Sequence, residues 1–410
     1  MRKIMGTLKI MPVAIAMAAY FAVFSAWGKS FSLDLRRPAA KPVPTLKAAS
    51  EAIDPDSIRR VDLDAGSADV GAVAVGDELV LTLFDDVSIM LTLKKQMPAP
   101  IGGDAFLAEA SGYDGVKNAV VLRTSEGLTI DVQDYRSKKI YKVISSGTGV
   151  IVQEAESRGV GCGCDAIEPD KQSKAIAPAK TGLAGKACDV HADPDTTVDI
   201  LVAYDSNAKT WADANGGVTN FALVAVQKMN TVLANNGLDT SFRFRLVGVV
   251  CVSTYSYDLD YALESAANGV SGWKAISDKR DEVGADIVTV MIDTGSAYGT
   301  TGLGFSLYKN DYYSDFSWFE GQAYNACLIR SVAVSHTMTH EVGHNMGCGH
   351  SDLQTSSPGP QLYDYSAGYY FTAEGENYYT VMAYGTEGPG GEEAPYFSSP
   401  GPSVPYAMTV

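Results

Sequence analysis

Residues 340–350 form a short segment whose residue types and spacing suit a catalytic metal ion. His340 and His344 are four residues apart, so on a helix both imidazoles project from one face and can bind the same ion. Gly347 can adopt a left-handed conformation, which would end the helix and bring His350 back as a third ligand. Three protein ligands leave a fourth position for water, as catalytic zinc sites require.

Glu341 follows the first of these histidines and is placed to act as a general base on a metal-bound water. The chain has five histidines, and this segment uses three of them. The alternative is a helix whose histidines are ordinary polar or core residues, which would require this spacing to arise by chance. The segment therefore predicts one catalytic Zn²⁺ held by three imidazoles.

Composition restricts the classes of protein to which the chain can belong. Its 410 residues, 46% hydrophobic and 20% charged, predict a globular protein of two or three domains. A net charge of -16 argues against nucleic-acid binding, because phosphates would be repelled. Some carboxylates could bind Ca²⁺, although no EF-hand spacing occurs. We expect a monomer.

The N-terminus has the pattern of a secretory signal peptide. A basic start precedes an uncharged apolar run at residues 10–24, and small residues allow cleavage after Gly28. The run is shorter than the roughly 20 residues of a membrane span, although an uncleaved anchor is the alternative. We predict a signal peptide at residues 1–28, secretion to the extracellular space and no stable membrane insertion.

Composition and periodicity divide the remaining chain into three parts. Residues 29–160 are β-rich, with alternating apolar residues that predict a twisted antiparallel sheet. Residues 161–197 contain prolines and little apolar periodicity, which indicates a linker suited to proteolytic processing. Residues 198–410 alternate between strand and helix patterns, which predicts an α/β (α+β) domain with a mixed twisted sheet.

The α/β pattern of the last part can be assigned to individual elements. Compact apolar runs predict three strands, and amphipathic runs predict helices, the second of which breaks near Gly269. A further strand is expected to be exposed, and the histidine-bearing helix is expected to be continuous; the rest should be mostly loop. The predicted strands are 198–204, 242–252, 286–292 and 301–307, and the predicted helices are 221–236, 261–283 and 331–346.

Two signatures resemble the metzincin clan of zinc endopeptidases. The first is the histidine motif, and the second is residues 380–385, which look like the Met-turn beneath the metal of that clan. Residues from 198 onward also resemble the reprolysin (adamalysin) branch and bacterial peptidyl-Asp metalloendopeptidases. One departure concerns the branch: reprolysins carry Asp directly after the third histidine, where this chain has Ser351, with Asp352 one residue later.

The resemblance implies a zinc metalloendopeptidase with protein or peptide substrates and a β-rich inhibitory propeptide. Met382 would form a hydrophobic floor under the ligands. Tyr384 would approach the metal and stabilise the tetrahedral intermediate, with simple packing as the alternative. An edge strand would pair with extended substrate; its residues would be Gly302, Leu303, Gly304 and Phe305.

Cysteines add a possible zymogen device. In several metzincins a propeptide cysteine binds the zinc, and Cys162 and Cys164 lie at the end of the predicted propeptide among glycines. Either could be that ligand; the alternative is a disulfide, for example to Cys188. The remaining cysteines could pair with one another or with Cys188, and they are Cys251, Cys327 and Cys348.

The sequence also allows two other functions, and it leaves several substrate preferences possible. The chain could be a zinc-binding, proteolytically inactive protein, although the presence of Glu341 argues against this, or a non-peptidase zinc hydrolase. The resemblance to peptidyl-Asp enzymes raises cleavage beside Asp. The basic residues that could bind such a side chain are Arg243, Arg245, Lys309 and Arg330.

Overall fold

The structure is a computed structural model, and it describes most of the two predicted domains. Residues 1–27 of the predicted signal peptide and residues 161–195 of the predicted linker lie outside the described residues, as do residues 158–160 before that linker. The described ranges are 28–36, 57–64, 70–99, 103–125, 127–146, 149–157, 196–240, 242–295, 299–309, 315–355, 358–373 and 375–398.

Among the described residues, the N-terminal region forms one nine-stranded sheet with the order β1-β3-β4-β5-β6-β7-β8-β9-β2. Neighbouring strands are antiparallel except β1 and β3, which are parallel. The strands are β1 Ser30–Asp34, β2 Ser57–Leu63, β3 Glu78–Phe84, β4 Val87–Met97, β5 Asp104–Ala110, β6 Ala119–Thr124, β7 Gly127–Asp134, β8 Lys139–Ser146 and β9 Gly149–Glu156.

This sheet curls until its two ends approach each other. Arg59 on β2 donates from Nη1 to Asp86 Oδ1, 2.6 Å away, in the turn between β3 and β4. Its guanidinium also lies 4.1 Å from the centre of the Phe84 ring. The curled sheet encloses one apolar core, to which Phe106 and Val121 belong.

The second part is a five-stranded mixed sheet, which confirms the α/β fold expected from the sequence. Its order is β11-β10-β12-β14-β13; the first four strands are parallel and β13 is antiparallel at one edge. The strands are β10 Thr196–Tyr204, β11 Phe242–Cys251, β12 Ile287–Ile292, β13 Gly302–Gly304 and β14 Tyr324–Leu328. The helices are α1 Ser206–Ala214, α2 Val218–Asn235, α3 Leu259–Ala267, α4 Lys274–Val283, α5 Ile329–Val334 and α6 Thr337–Asn345, with a 3-10 helix at Ser317–Gln322.

Helix α2 joins the two parts, because the outer face of the N-terminal sheet packs on it. Leu107 and Val120, on the outer face, share a core with Val226 of α2. Polar contacts fix the helix at both ends. Asn220 accepts from the Thr124 hydroxyl, and Asn235 bonds to the backbone N–H and carbonyl of residue 117. The central strands of the nine-stranded sheet, such as β5 and β7, are consequently buried on both faces.

Two expectations about the C-terminal part are wrong, and a third is confirmed but omits a small sheet. The helix predicted at 331–346 is two helices, since Ser335 is extended (φ -150°, ψ -177°) between α5 and α6. The strand predicted to be exposed is short and buried, because Leu303 and Phe305 pack into the core. The segment predicted to be mostly loop includes a three-stranded sheet made of β15 Tyr370–Ala373, β16 Glu376–Thr380 and β17 Glu392–Ala394.

One amide fixes the end of α6 to the edge of the sheet. The side chain of Asn345, the last residue of α6, donates to the carbonyls of Phe305 and Tyr324 at 2.8 and 2.9 Å. Its Oδ1 accepts from Asn325 on β14 at 2.8 Å. Each of these buried polar groups is thereby satisfied, and α6 is held against β13 and β14.

Two further expectations concern cysteines and membranes. Cys251, Cys327 and Cys348 are free thiols, so the possible pairing of these three with one another is not found. They lie on an edge strand, a central strand and the segment after α6. Cys162, Cys164 and Cys188 lie outside the described residues. No helix in the described part of the chain is both long and apolar enough to cross a membrane.

Candidate metal centre

Three imidazoles meet at one buried point beside the edge of the five-stranded sheet. His340 Nε2 lies 3.2 Å from His344 Nε2 and 3.2 Å from His350 Nε2, and the latter two atoms are 3.0 Å apart. All three side chains are fully buried. Gly347 has φ +87°, and a Cβ there would lie 2.7 Å from Leu362 Cβ, so the return turn requires glycine.

The hydrogen bonds of two of these rings fix which nitrogen carries the proton. His340 Nδ1 lies 2.7 Å from the carbonyl of Val381, and His344 Nδ1 lies 2.8 Å from the carbonyl of Cys348. A carbonyl only accepts, so both Nδ1 atoms are protonated and both Nε2 atoms carry lone pairs. Burial lowers the pKa of both rings, and the neighbouring imidazoles lower it further, which keeps them neutral.

Facing lone pairs at these distances fit a bound cation. Nitrogens held about 2.0–2.1 Å from a tetrahedral zinc ion would be about 3.3–3.4 Å apart, close to the spacing found here. Among the described residues, these three histidines form a group whose ligand atoms lie within 4.8 Å of one another. Neutral imidazoles whose other nitrogen donates to a carbonyl are the usual zinc ligands. The donor set therefore fits zinc.

Glu341 is fully buried next to the first ligand and faces β13. A Cβ on Gly302 would collide with the Glu341 carboxylate, and a Cβ on Gly304 would lie 2.9 Å from the Glu341 carbonyl. Glycines at these positions of β13 thus make room for the carboxylate. Burial raises the pKa of Glu341 well above its ordinary value, so the ionised form needs a positive charge nearby.

Met382 lies in a turn directly beneath α6. It is 1% exposed, and a Cβ on Gly343 would collide with its sulfur, so α6 approaches the turn closely because Gly343 has no side chain. The preceding carbonyl, that of Val381, accepts from His340. The structure therefore places Met382 next to the helix that carries the ligands.

Tyr384 reaches the imidazole cluster itself. Its hydroxyl lies 2.6 Å from His350 Nε2, and its ring stacks on His340 with centroids 5.4 Å apart and planes 23° apart. Tyr370 donates to the Tyr384 carbonyl, and Gln354 accepts from its N–H. The Tyr384 hydroxyl is thus held beside the nitrogens that face the candidate metal position.

His336 and the basic residues considered for substrate binding have other partners or lie elsewhere in the sheet. His336 shares a helix face with His340 in the sequence, yet its Nε2 bonds to Tyr135 at 3.1 Å. Arg243 and Arg245 lie on β11, at the opposite edge of the sheet from β13. Arg330 is paired with Asp293. The ammonium of Lys309 lies 5.7 Å from the ring centre of Tyr363.

Several groups that support the site were missed by the sequence analysis. The backbone carbonyls of Val381 and Cys348 could not be identified from the residue types, because every residue carries a backbone carbonyl. Gln354 is a polar residue in a segment without periodicity, Asn345 ends the histidine-bearing helix, and only their contacts reveal their role. Their position close to the histidine motif was the one available signal.

Comparisons with known proteins show what this chain is similar to. Residues 195–398 match the family model Reprolysin_5, described as metallo-peptidase family M12. The peptidyl-Asp metalloendopeptidase of Pseudomonas aeruginosa is 30% identical over 223 residues, which cover 50% of this chain and 34% of that protein. The match therefore spans about a third of that relative's length. Among solved structures, metalloproteinase-II from Bacteroides fragilis aligns with a TM-score of 0.42 at 11% identity, covering 83% of this chain and 95% of that one.

Removal of one imidazole should weaken zinc binding strongly. We expect His350→Ala to lose zinc affinity by on the order of 100-fold or more, since even loss of a residue that only orients a ligand costs 10–100-fold. Competition with a chromophoric chelator measures this affinity. In the unaltered chain, zinc should also raise the midpoint of thermal unfolding, because the ion binds the folded state.

His191→Ala is the matched control, since it removes an imidazole from the predicted linker. It should bind zinc as the unaltered chain does. Equal affinity in His350→Ala and the unaltered chain would contradict the three-histidine site.

Proposed function

We propose that the metzincin-like metallopeptidase domain at residues 195–398 makes this chain a zinc-dependent endopeptidase that hydrolyses protein or peptide substrates. The observation that carries the proposal is the convergence of three buried imidazole nitrogens beside Glu341 and an edge strand. The family match and the name of the Pseudomonas aeruginosa relative support it.

In this proposal each residue has one task. His340, His344 and His350 would hold the zinc ion, which when bound polarises the scissile carbonyl and lowers the pKa of its water. Glu341 would take the proton of the attacking water and pass it to the leaving amine. The Tyr384 hydroxyl would donate to the oxyanion that develops on the former carbonyl.

Strand β13 would bind the substrate as a further strand. It ends the five-stranded sheet, and its Gly302 and Gly304 lie directly against the segment that contains Glu341. An extended peptide pairing with an edge strand gains main-chain hydrogen bonds, and this would align the scissile bond along α6.

Replacement of the proposed general base separates zinc binding from hydrolysis. We expect Glu341→Gln to bind zinc with little change, because the histidines remain, and to lose casein hydrolysis by about 100-fold or more. Full activity in this variant would contradict the mechanism. Zinc binding by the chain cleaved in its linker, with no hydrolysis of any peptide in a library, would instead favour a zinc-binding, proteolytically inactive protein.

Two glycine variants test the same carboxylate from the other side. Gly302→Ala adds a methyl group that presses on Glu341, so hydrolysis should fall while zinc remains bound. Gly321→Ala is the matched control, since a Cβ there meets nothing within 4 Å.

We also propose that the chain is exported and kept inactive until it is processed. Basic and apolar residues before Gly28 support a signal peptide, and the β-rich region at 29–160 would be a propeptide ahead of a cleavable linker. Cys162 or Cys164 would supply a thiolate to the zinc ion in the uncleaved chain.

Serine variants of the full chain test this latency. If one thiolate blocks the metal, either Cys162→Ser or Cys164→Ser should hydrolyse casein before any cleavage of the linker, and the other should stay silent. Cleavage is followed by mass spectrometry in the same samples. Silence of both single variants and of the double variant would reject a cysteine-based block.

A preference for Asp beside the scissile bond is the substrate class that the relative's name suggests. Lys309 follows β13 on the chain and is the basic residue that we favour for this role, because Arg330 already pairs with Asp293. Lys309→Gln should raise KM for Asp-containing peptides by about tenfold, as loss of a charge-assisted bond predicts. Asn-containing peptides serve as the control, and an equal loss on both would contradict the assignment.

A further inference from the structure

The helix that carries the first two ligands starts at a break in the chain. Ser335 is extended, and His336 occupies the N-cap of α6. The carbonyl of His336 accepts from the N–H of His340 at 2.9 Å. The position of residue 336 therefore sets the first turn of α6 and, with it, the direction of the His340 side chain.

The ring of His336 is held by the N-terminal sheet. It is 1% exposed and stacks on Tyr135, with ring centroids 6.3 Å apart and planes 13° apart. His336 Nε2 lies 3.1 Å from the Tyr135 hydroxyl. Tyr135 is the first residue after β7, so a residue 201 positions away on the chain contacts the start of α6.

The available protons determine which group donates in the bond between His336 and Tyr135. The Tyr135 hydroxyl donates its one proton to Gln133 Oε1 at 2.7 Å, so its oxygen accepts from His336 Nε2–H. His336 Nδ1 then carries the lone pair, and Thr339 Oγ1, 3.4 Å away, is placed to donate to it. The chain of bonds fixes the His336 ring between the first turn of α6 and the N-terminal sheet.

The segment just before His336 is held independently. Lys228 of α2 donates from Nζ to the carbonyls of Val332 and Ser335 at 3.1 and 2.8 Å. The Ser335 hydroxyl donates to the Ser331 carbonyl at 2.8 Å. These bonds fix the backbone of the break, whereas the bond to Tyr135 fixes the ring that follows it.

We propose that Tyr135 is a positioning residue for the zinc site, acting through His336 on the first turn of α6. The N-terminal sheet would therefore hold the first turn of α6, the helix that carries His340 and His344, in place. This contact would raise the zinc affinity of the uncleaved chain. This inference rests on the proposed zinc function.

Tyr135→Phe in the full chain is the test, because it removes the hydroxyl and keeps the ring. Zinc affinity, measured by chelator competition, should fall about three- to tenfold, as loss of one buried hydrogen bond predicts. The visible absorption spectrum of the Co²⁺-loaded variant should shift as well, since it reports ligand geometry rather than stability. Circular dichroism confirms that each variant is folded.

Two further variants make the result specific. Tyr204→Phe is the matched control, since the hydroxyl of the buried Tyr204, at the end of β10, donates to the Val218 carbonyl at 2.8 Å. It should bind zinc and Co²⁺ as the unaltered chain does. In a His336→Phe background, Tyr135→Phe should have no additional effect, because the bond is already absent.

The outcomes separate this inference from the proposed function. Unchanged affinity and spectrum in Tyr135→Phe, or equal losses in Tyr204→Phe, would overturn the positioning role while leaving the zinc site intact. An unaltered chain that binds no zinc would overturn the proposed function, and this inference with it.

Discussion

The candidate metal centre depends on three buried imidazole nitrogens that face one another at 3.0–3.2 Å. The rings of His340 and His344 donate their Nδ1–H to backbone carbonyls, so the lone pairs of their Nε2 atoms point inward with no proton between them. Buried acceptors that face each other without a donor are costly, and a divalent cation removes this cost. The surrounding structure can be understood as the means of holding these nitrogens in place.

Elements from distant parts of the chain share that task. Asn345 ties the end of α6 to the sheet, and the turn containing Met382 fits beneath α6 because Gly343 has no side chain. Tyr384, in the C-terminal segment, places its hydroxyl 2.6 Å from His350 Nε2. At the start of α6, His336 connects the ligand helix to the nine-stranded sheet. Rigid contacts at both ends of a short helix are the requirement that precise ligand geometry imposes.

The sequence predicts the parts of this arrangement that are local. The spacing of His340, His344 and His350 follows helical geometry and a glycine turn, so it could be read without a structure. The mixed α/β fold followed from hydrophobic periodicity, which records burial along each element. The family model matches residues 195–398, which agrees with this interpretation.

The sequence could not predict what depends on contacts between distant segments. Residues 331–346 have helical periodicity throughout, yet the chain breaks at Ser335, where Lys228 and Tyr135 hold the segment from two other elements. The strand Gly302–Gly304 is buried, although its sequence predicts an exposed strand. The sequence pattern does not show that the Glu341 carboxylate covers Gly302.

The most direct test of the account is X-ray absorption at the zinc edge. The sample would be the Cys162→Ser/Cys164→Ser double variant loaded with one equivalent of zinc, so that no linker thiolate can contribute. We predict three imidazole nitrogens at about 2.0–2.1 Å and at least one oxygen. Fewer than three imidazoles, or a sulfur shell near about 2.3 Å, would contradict the three-histidine centre on which the account rests.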